Sequence, residues 1–187
     1  MNQALLLIDL QNDYFPGGAF ELEGSDAALT NAALLLAAAR QKGTPVIHIR
    51  HVSLRPGAGF FLPGTRGVDI HQDVAPVAGE AVIDKHFPNS FRDTPLRETL
   101  AALGVSRLLV AGMMTHMCVD ATVRAAFDLG LECRVAGDAC ATRALAYQDE
   151  TIAAQQVHAA FLAALNGIYA EVLPTSLILA GSEPVAA

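Results

Sequence analysis

Cysteine is scarce in this sequence. Its three cysteines, Cys118, Cys133 and Cys140, are odd in number and form no CxxC, a pattern that fits a reduced, intracellular protein rather than a disulfide scaffold. Clusters of lysine and arginine are also missing. Only two lysines occur, Lys42 and Lys85, and the formal charge is -7, which argues against a nucleic-acid partner because phosphate binding needs grouped cations. Apolar runs are short: stretches such as 32–39 fall far below the roughly 18–20 residues that cross a bilayer. The opening MNQALLLIDL has no basic region, and Asp9 interrupts its apolar run, so neither a signal peptide nor a membrane partner is expected and the cytoplasm is the default location. No GxxxxGK is present, and the only Gly-x-Gly, Gly57 to Gly59, does not open a helix after a strand. That makes P-loop and dinucleotide-binding chemistry poor fits. No repeat or low-complexity linker divides the 187 residues, which are read as one domain, 1–187.

What is present is apolar and patterned. Hydrophobic residues make up 52% and charged ones 17%, far from the composition of a disordered chain. Short apolar runs at 4–8, 46–49, 81–84, 107–112 and 133–136 alternate with helical patterns at 25–42, 117–129 and 149–165. A further helix is expected to start at Thr94-Pro95 and end at Gly104, and a last short strand lies near 171–173. Between them, residues 53–80 are rich in Gly and Pro and predict a long loop, of the kind that serves as a lid or an intersubunit contact. The tail beyond Gly181 is expected to be loose. Alternating strands and helices of this kind predict an α/β fold: a three-layer α/β/α, Rossmann-like sandwich around a central, mostly parallel sheet.

In such sheets ligands bind beyond the carboxyl ends of the strands, so the residues at those ends carry the interest. Asp9 ends the first strand, Lys85 follows the third, and Cys118 lies just past the fourth at the start of a helical pattern. Each has an ordinary alternative: Asp9 as a turn cap, Lys85 as a strand-end cation reaching solvent, Cys118 as a small apolar filler. Their coincidence points elsewhere. A carboxylate, an ammonium and a thiol at neighbouring strand ends form the parts of a nucleophilic site, and a helix N-terminus would lower the thiol's pKa. Asp13, in the turn QNDYFPGG, is read as structural. Cys133 in a strand and Cys140 in a loop are read as inert.

The stretches LLLIDLQNDYFPGGAFEL, KHFPNSF and GMMTHMCVDATVRAAFDLG together resemble the isochorismatase-like cysteine hydrolases, a superfamily that includes nicotinamidases and N-carbamoylsarcosine amidohydrolases. The resemblance covers nearly the whole chain. It implies catalytic roles for Asp9, Lys85 and Cys118, a cis peptide at Met113–Met114, and an oxyanion hole built from the N–H groups of Met114 and Cys118. It further implies a small-molecule substrate with an amide, ureide or related C–N bond, cleaved through a thioester, and a homodimer or homotetramer. The Asp-x-His metal pattern of nicotinamidases is replaced here by His51-Val52-Ser53. His48 and His51 are three apart on a strand and its exit and so point to opposite faces; no metal or other cofactor is expected. Phe15, Phe20, Phe60, Phe61, Phe87, Phe91 and His116 are candidates for lining the substrate pocket. Two alternatives stay open: a vinyl-ether hydrolase of the isochorismatase type, and a non-catalytic thiol sensor or small-molecule-binding protein.

Overall fold

The structure is a computed structural model and describes residues 2–181. Strand β1 (Asn2–Ile8) is apolar on consecutive positions because both of its faces are covered. Leu5 and Leu7 pack on one side, Ala4, Leu6 and Ile8 on the other. The chain continues through α1 (Ser25–Lys42), β2 (Val46–His51), β3 (Ala81–Lys85), α2 (Leu96–Ala102), β4 (Val105–Met113), α3 (Asp120–Asp128) and β5 (Glu132–Ala141). A hairpin, β6 (Leu145–Tyr147) and β7 (Glu150–Ile152), then leads to α4 (Ala154–Leu165), β8 (Glu171–Leu173) and α5 (Thr175–Leu179). The main sheet is parallel throughout in the order β3-β2-β1-β4-β5-β8. Helices α1 and α5 cover one face, and α2, α3 and α4 cover the other. This is the expected three-layer sandwich. Its strand order reverses direction between β1 and β4, the switch point where such sheets hold ligands.

Local departures from the sequence reading have local causes. The helix expected over 149–165 starts at Ala154, since residues 145–152 pair as the β6–β7 hairpin. The helix expected over 117–129 divides into a π-helical turn, Thr115–Val119, followed by α3. Strand β5 is longer than expected and takes in Cys140, placed earlier in a loop. Pro95, expected at the first helical position, is instead the N-cap of α2, where Thr94 Oγ1 accepts from the Leu96 N–H at 3.3 Å. Helix α5 has too short a pattern to stand out in the sequence. The tail beyond Gly181 lies outside the described residues.

Residues 53–80 form an ordered strap with two 3₁₀ turns, Arg66–Val68 and Gln72–Val74. It is tied to the chain leaving β1: the His71 N–H donates to Leu10 O at 2.8 Å, and the Asn12 N–H to Asp69 O at 3.0 Å. Buried Asp13 accepts from the Phe61 N–H at 2.6 Å and the Ala19 N–H at 3.1 Å. Its structural reading is thereby given a mechanism. Among the described residues, no helix is long and apolar enough to cross a membrane.

Candidate active site

Four neighbouring strands each deliver one polar side chain to the same edge of the sheet. Asp9 follows β1 in the left-handed region at φ 51°, which turns its side chain out of the strand alternation. His51 and Lys85 end β2 and β3 and are Cα partners in the parallel register. Cys118 comes from the π-helical turn after β4, in which the Met117 and Val119 N–H groups both donate to Met114 O at 3.0 and 3.2 Å. The Met113–Met114 peptide just before this turn is cis.

The Lys85 ammonium is the hub. Its Nζ lies 2.7 Å from Asp9 Oδ2, 3.2 Å from Cys118 Sγ and 3.1 Å from His51 Nδ1. Asp9 and Lys85 are 0% exposed and Cys118 3%. The three residues singled out in the sequence thus converge in one buried cluster. An ammonium has three protons and no lone pair, and here each proton has an acceptor. One ligand atom from each of Asp9, His51 and Cys118 falls within 4.8 Å of the other two, a donor set suited to a cation, and the Lys85 ammonium is the cation they hold.

Burial dominates the electrostatics. It pushes the Cys118 thiol well above its ordinary range, Asp9's charge pushes it further, and Lys85 pulls the other way without reversing the outcome. The lowered thiol pKa expected of a helix N-terminus is therefore not found; removal from water outweighs it. Burial alone would lower Lys85, but the charge of Asp9 and hydrogen bonds to Asp9 and Cys118 raise it, so the ammonium keeps its proton. His51 is pushed down to about 4 by burial and then by Lys85. Asp9 Oδ1 is buried and, among the described residues, has no hydrogen-bond partner. A carboxylate oxygen in that state is an open proton acceptor.

An aromatic group borders the cluster. Phe61 lies 5.9 Å from the His51 ring and 4.6 Å from Tyr14, while Phe20 and Phe60 stack at 4.4 Å. Burial, first of all, raises the Tyr14 phenol, and the ring packs edge-on against Phe61, the neighbour of His51. Of the other candidate lining residues, Phe15 packs against His71 at 4.6 Å. Phe91 packs into the apolar cluster that includes Cys118, and Phe87 lies under Arg92 at 3.6 Å. His116 Nδ1 pairs with Thr142 Oγ1, and its ring meets Phe161 edge-on. His48 stays outside the site, bonded to Glu80 Oε2 at 2.9 Å.

Sequence reasoning missed His51, Gln11, Tyr14 and Arg143. Gln11 is fully buried; its Oε1 accepts from the His51 N–H at 2.7 Å, and its Nε2 donates to His51 O at 2.9 Å and Val68 O at 2.7 Å. Arg143 is exposed, sits 5.2 Å from the Phe20 ring, and its charge reaches Tyr14 and His116. A signal for His51 existed: β2 runs two residues past the expected end at 49, and His51 is its carboxyl-terminal residue.

Comparison with known proteins agrees with this fold. The isochorismatase domain model matches residues 3–172. The isochorismatase family protein YddQ of Bacillus subtilis is 50% identical over 179 residues, covering 96% of this chain and 99% of that protein. Maleamate amidohydrolase of Pseudomonas putida is 35% identical over 141 residues, covering 68% and 66%. A solved isochorismatase hydrolase structure from Oleispira antarctica superposes with a TM-score of 0.93 at 51% identity, covering 96% of this chain and 97% of that one. A domain match over residues 3–172, with half of the residues identical to relatives that align over nearly the whole chain, establishes that the chain belongs to the isochorismatase family of hydrolases.

Proposed function

We propose that this protein is a cysteine hydrolase that cleaves a small amide, ureide or related C–N bond through a thioester on Cys118. The observation that carries this reading is the Lys85 ammonium bridging Asp9 Oδ2 at 2.7 Å and Cys118 Sγ at 3.2 Å. An acid and a thiol that share one ammonium, with a carboxylate oxygen and the sulfur within 4.8 Å of each other, are the components of acyl transfer. The similarity to a relative named maleamate amidohydrolase supports a C–N bond as the target.

At rest the thiol is protonated, because burial holds it so. Substrate binding brings a carbonyl carbon to the sulfur. The S–H proton passes to Asp9 as the C–S bond forms, and the backbone N–H groups of Met114 and Cys118 hold the oxyanion. Lys85 keeps its proton and offsets the negative charge that moves between carboxylate and sulfur. Asp9 then gives its proton to the departing nitrogen as the C–N bond breaks, releasing ammonia or an amine. A water molecule loses a proton to Asp9, attacks the thioester and frees the acid. The expelled sulfur recovers the proton from Asp9.

The test is ammonia release from simple amides, carbamoyl amino acids, ureides and nicotinamide, with mass spectrometry of the trapped enzyme. Turnover of one class, an acyl adduct on Cys118 and loss of both in Cys118→Ala are expected. Turnover retained by Cys118→Ala overturns the assignment.

A further inference from the structure

We propose that His51 is a positioning residue for the reacting cluster: a neutral acceptor that fixes the rotation of the Lys85 ammonium, so that its other two protons point at Asp9 and Cys118. This inference deepens the hydrolase reading above and rests on it for its catalytic meaning.

Three observations carry it. First, the contact between Lys85 Nζ and His51 Nδ1 at 3.1 Å has only one possible direction. An ammonium donates and cannot accept, so Nδ1 is the unprotonated nitrogen and the ring proton resides on Nε2. Second, the acceptor is neutral. A carboxylate in its place would give the buried ammonium a second anion beside Asp9, and repulsion between the two anions and the forming thiolate would oppose ionisation of Cys118. An apolar residue would leave one buried N–H of the ammonium without a partner, which is costly for a charged donor. A neutral imidazole avoids both.

Third, the backbone that carries the ring is itself clamped. Fully buried Gln11 holds the His51 N–H at 2.7 Å and the His51 carbonyl at 2.9 Å. Asp9 and Gln11 lie two positions apart in the sequence; the first takes the ammonium directly, and the second fixes the residue that takes its third proton. On the other side, Phe61 lies 5.9 Å from the ring and is held by Asp13 at 2.6 Å. The strap over 53–80 therefore reaches the reacting groups through this histidine.

The composition offers a direct experiment. The chain has two lysines, so with Lys42→Arg a sample carrying ¹⁵N-labelled lysine gives one ammonium signal, from Lys85. In the wild type, long-range ¹H–¹⁵N spectra of labelled histidine are expected to show His51 Nδ1 unprotonated and Nε2 protonated between about pH 6 and 8. A protonated Nδ1 in that interval overturns the proposal. Hydrogen exchange of the Lys85 ammonium is expected to accelerate at least about tenfold in His51→Leu. In His51→Asn, whose side-chain oxygen can stand where Nδ1 stands, it is expected to return to within about threefold of wild type. Unchanged exchange in His51→Leu overturns the proposal; should that variant not fold, the wild-type tautomer together with rescue in His51→Asn decides it. On the amide found by the ammonia assay, His51→Leu lowers kcat and leaves KM within about twofold, since the ring acts on the ammonium and not on substrate. The spectra do not depend on turnover. Loss of the hydrolase reading, shown by an active Cys118→Ala, is thus distinguishable from loss of this one.

Discussion

Gly112 lies opposite Ile8 across the β1–β4 register, and a Cβ built on it would stand 2.0 Å from the Ile8 carbonyl oxygen. Its φ of 135° is also one that residues with side chains avoid. The next residue after Ile8 is Asp9, so the close approach of the two strands sets where the carboxylate leaves the sheet. Gly112→Ala is expected to cost about 3–5 kcal/mol in urea denaturation, as overpacking and backbone strain add. Activity is expected to fall by more than the loss of folded protein accounts for, because the peptide before Asp9 must shift. A variant as stable as wild type would show that the strands can part without consequence.

The Lys85–Asp9 pair can be read by stability as well as by turnover. Both groups are fully buried, and removing one partner leaves the other charge uncompensated. Lys85→Met is expected to destabilise by about 3–5 kcal/mol. The double variant Asp9→Asn with Lys85→Met is expected to recover part of that loss, since no charge is then stranded. Both are expected to be inactive. Equal stability losses in the single and double variants would mean that the pair is not electrostatically coupled.

How far these features were legible in the sequence depends on what each one rests on. Asp9, Lys85 and Cys118 could be found because each is chemically out of place at the end of an apolar run, and the strand-end rule for parallel sheets assigns them a common side. His51 obeyed the same rule but was lost through a boundary error, with β2 ended at Ile49 although pairing with β3 carries it on to His51. Gln11 and Arg143 owe their positions to long-range folding. Gln11 meets His51 and Val68 across separations of 40 and 57 residues, which no local pattern encodes. The thiol's protonation state was misjudged for a physical reason: a helix N-terminus acts over a turn, while burial removes all the water around the sulfur. The β6–β7 hairpin was hidden in an Ala-rich stretch whose helical propensity holds only from Ala154 onward.

The strap over 53–80 depends on a second glycine. A Cβ on Gly67 would meet Asp13 Oδ1 at 2.1 Å, and Asp13 is the residue that accepts from the Phe61 N–H. Gly67→Ala is expected to displace the Asp13 carboxylate, costing about 1–3 kcal/mol. The Phe61 amide is expected to exchange with deuterium faster, and protease cleavage is expected to appear within 53–80 while the sheet amides stay protected. Unchanged exchange at Phe61 would show that the strap is held by something other than Asp13.

Acid should weaken the fold in two steps that belong to different residues. An unfolded histidine takes up its proton near 6.5, whereas His51, faced by Lys85, Asp9 and His86, does so only near 4. Between those values the unfolded chain binds more protons, so stability falls as pH falls through that window. His48 and His158, also lowered by burial, act in the same direction. Glu80, bonded to Arg40, the Val77 N–H and His48, is held down to about 2 against an ordinary 4.5. Its contribution is complete above 4.5 and is lost as pH drops from there towards 2. Chemical denaturation at a series of pH values is expected to show the first decline reduced in His51→Asn and the second reduced in Glu80→Gln. A His51→Asn protein that loses stability between pH 6.5 and 4 as steeply as wild type would mean that His51 takes up its proton at the same pH in the folded and unfolded chains, and that burial beside Lys85 does not hold its ring neutral.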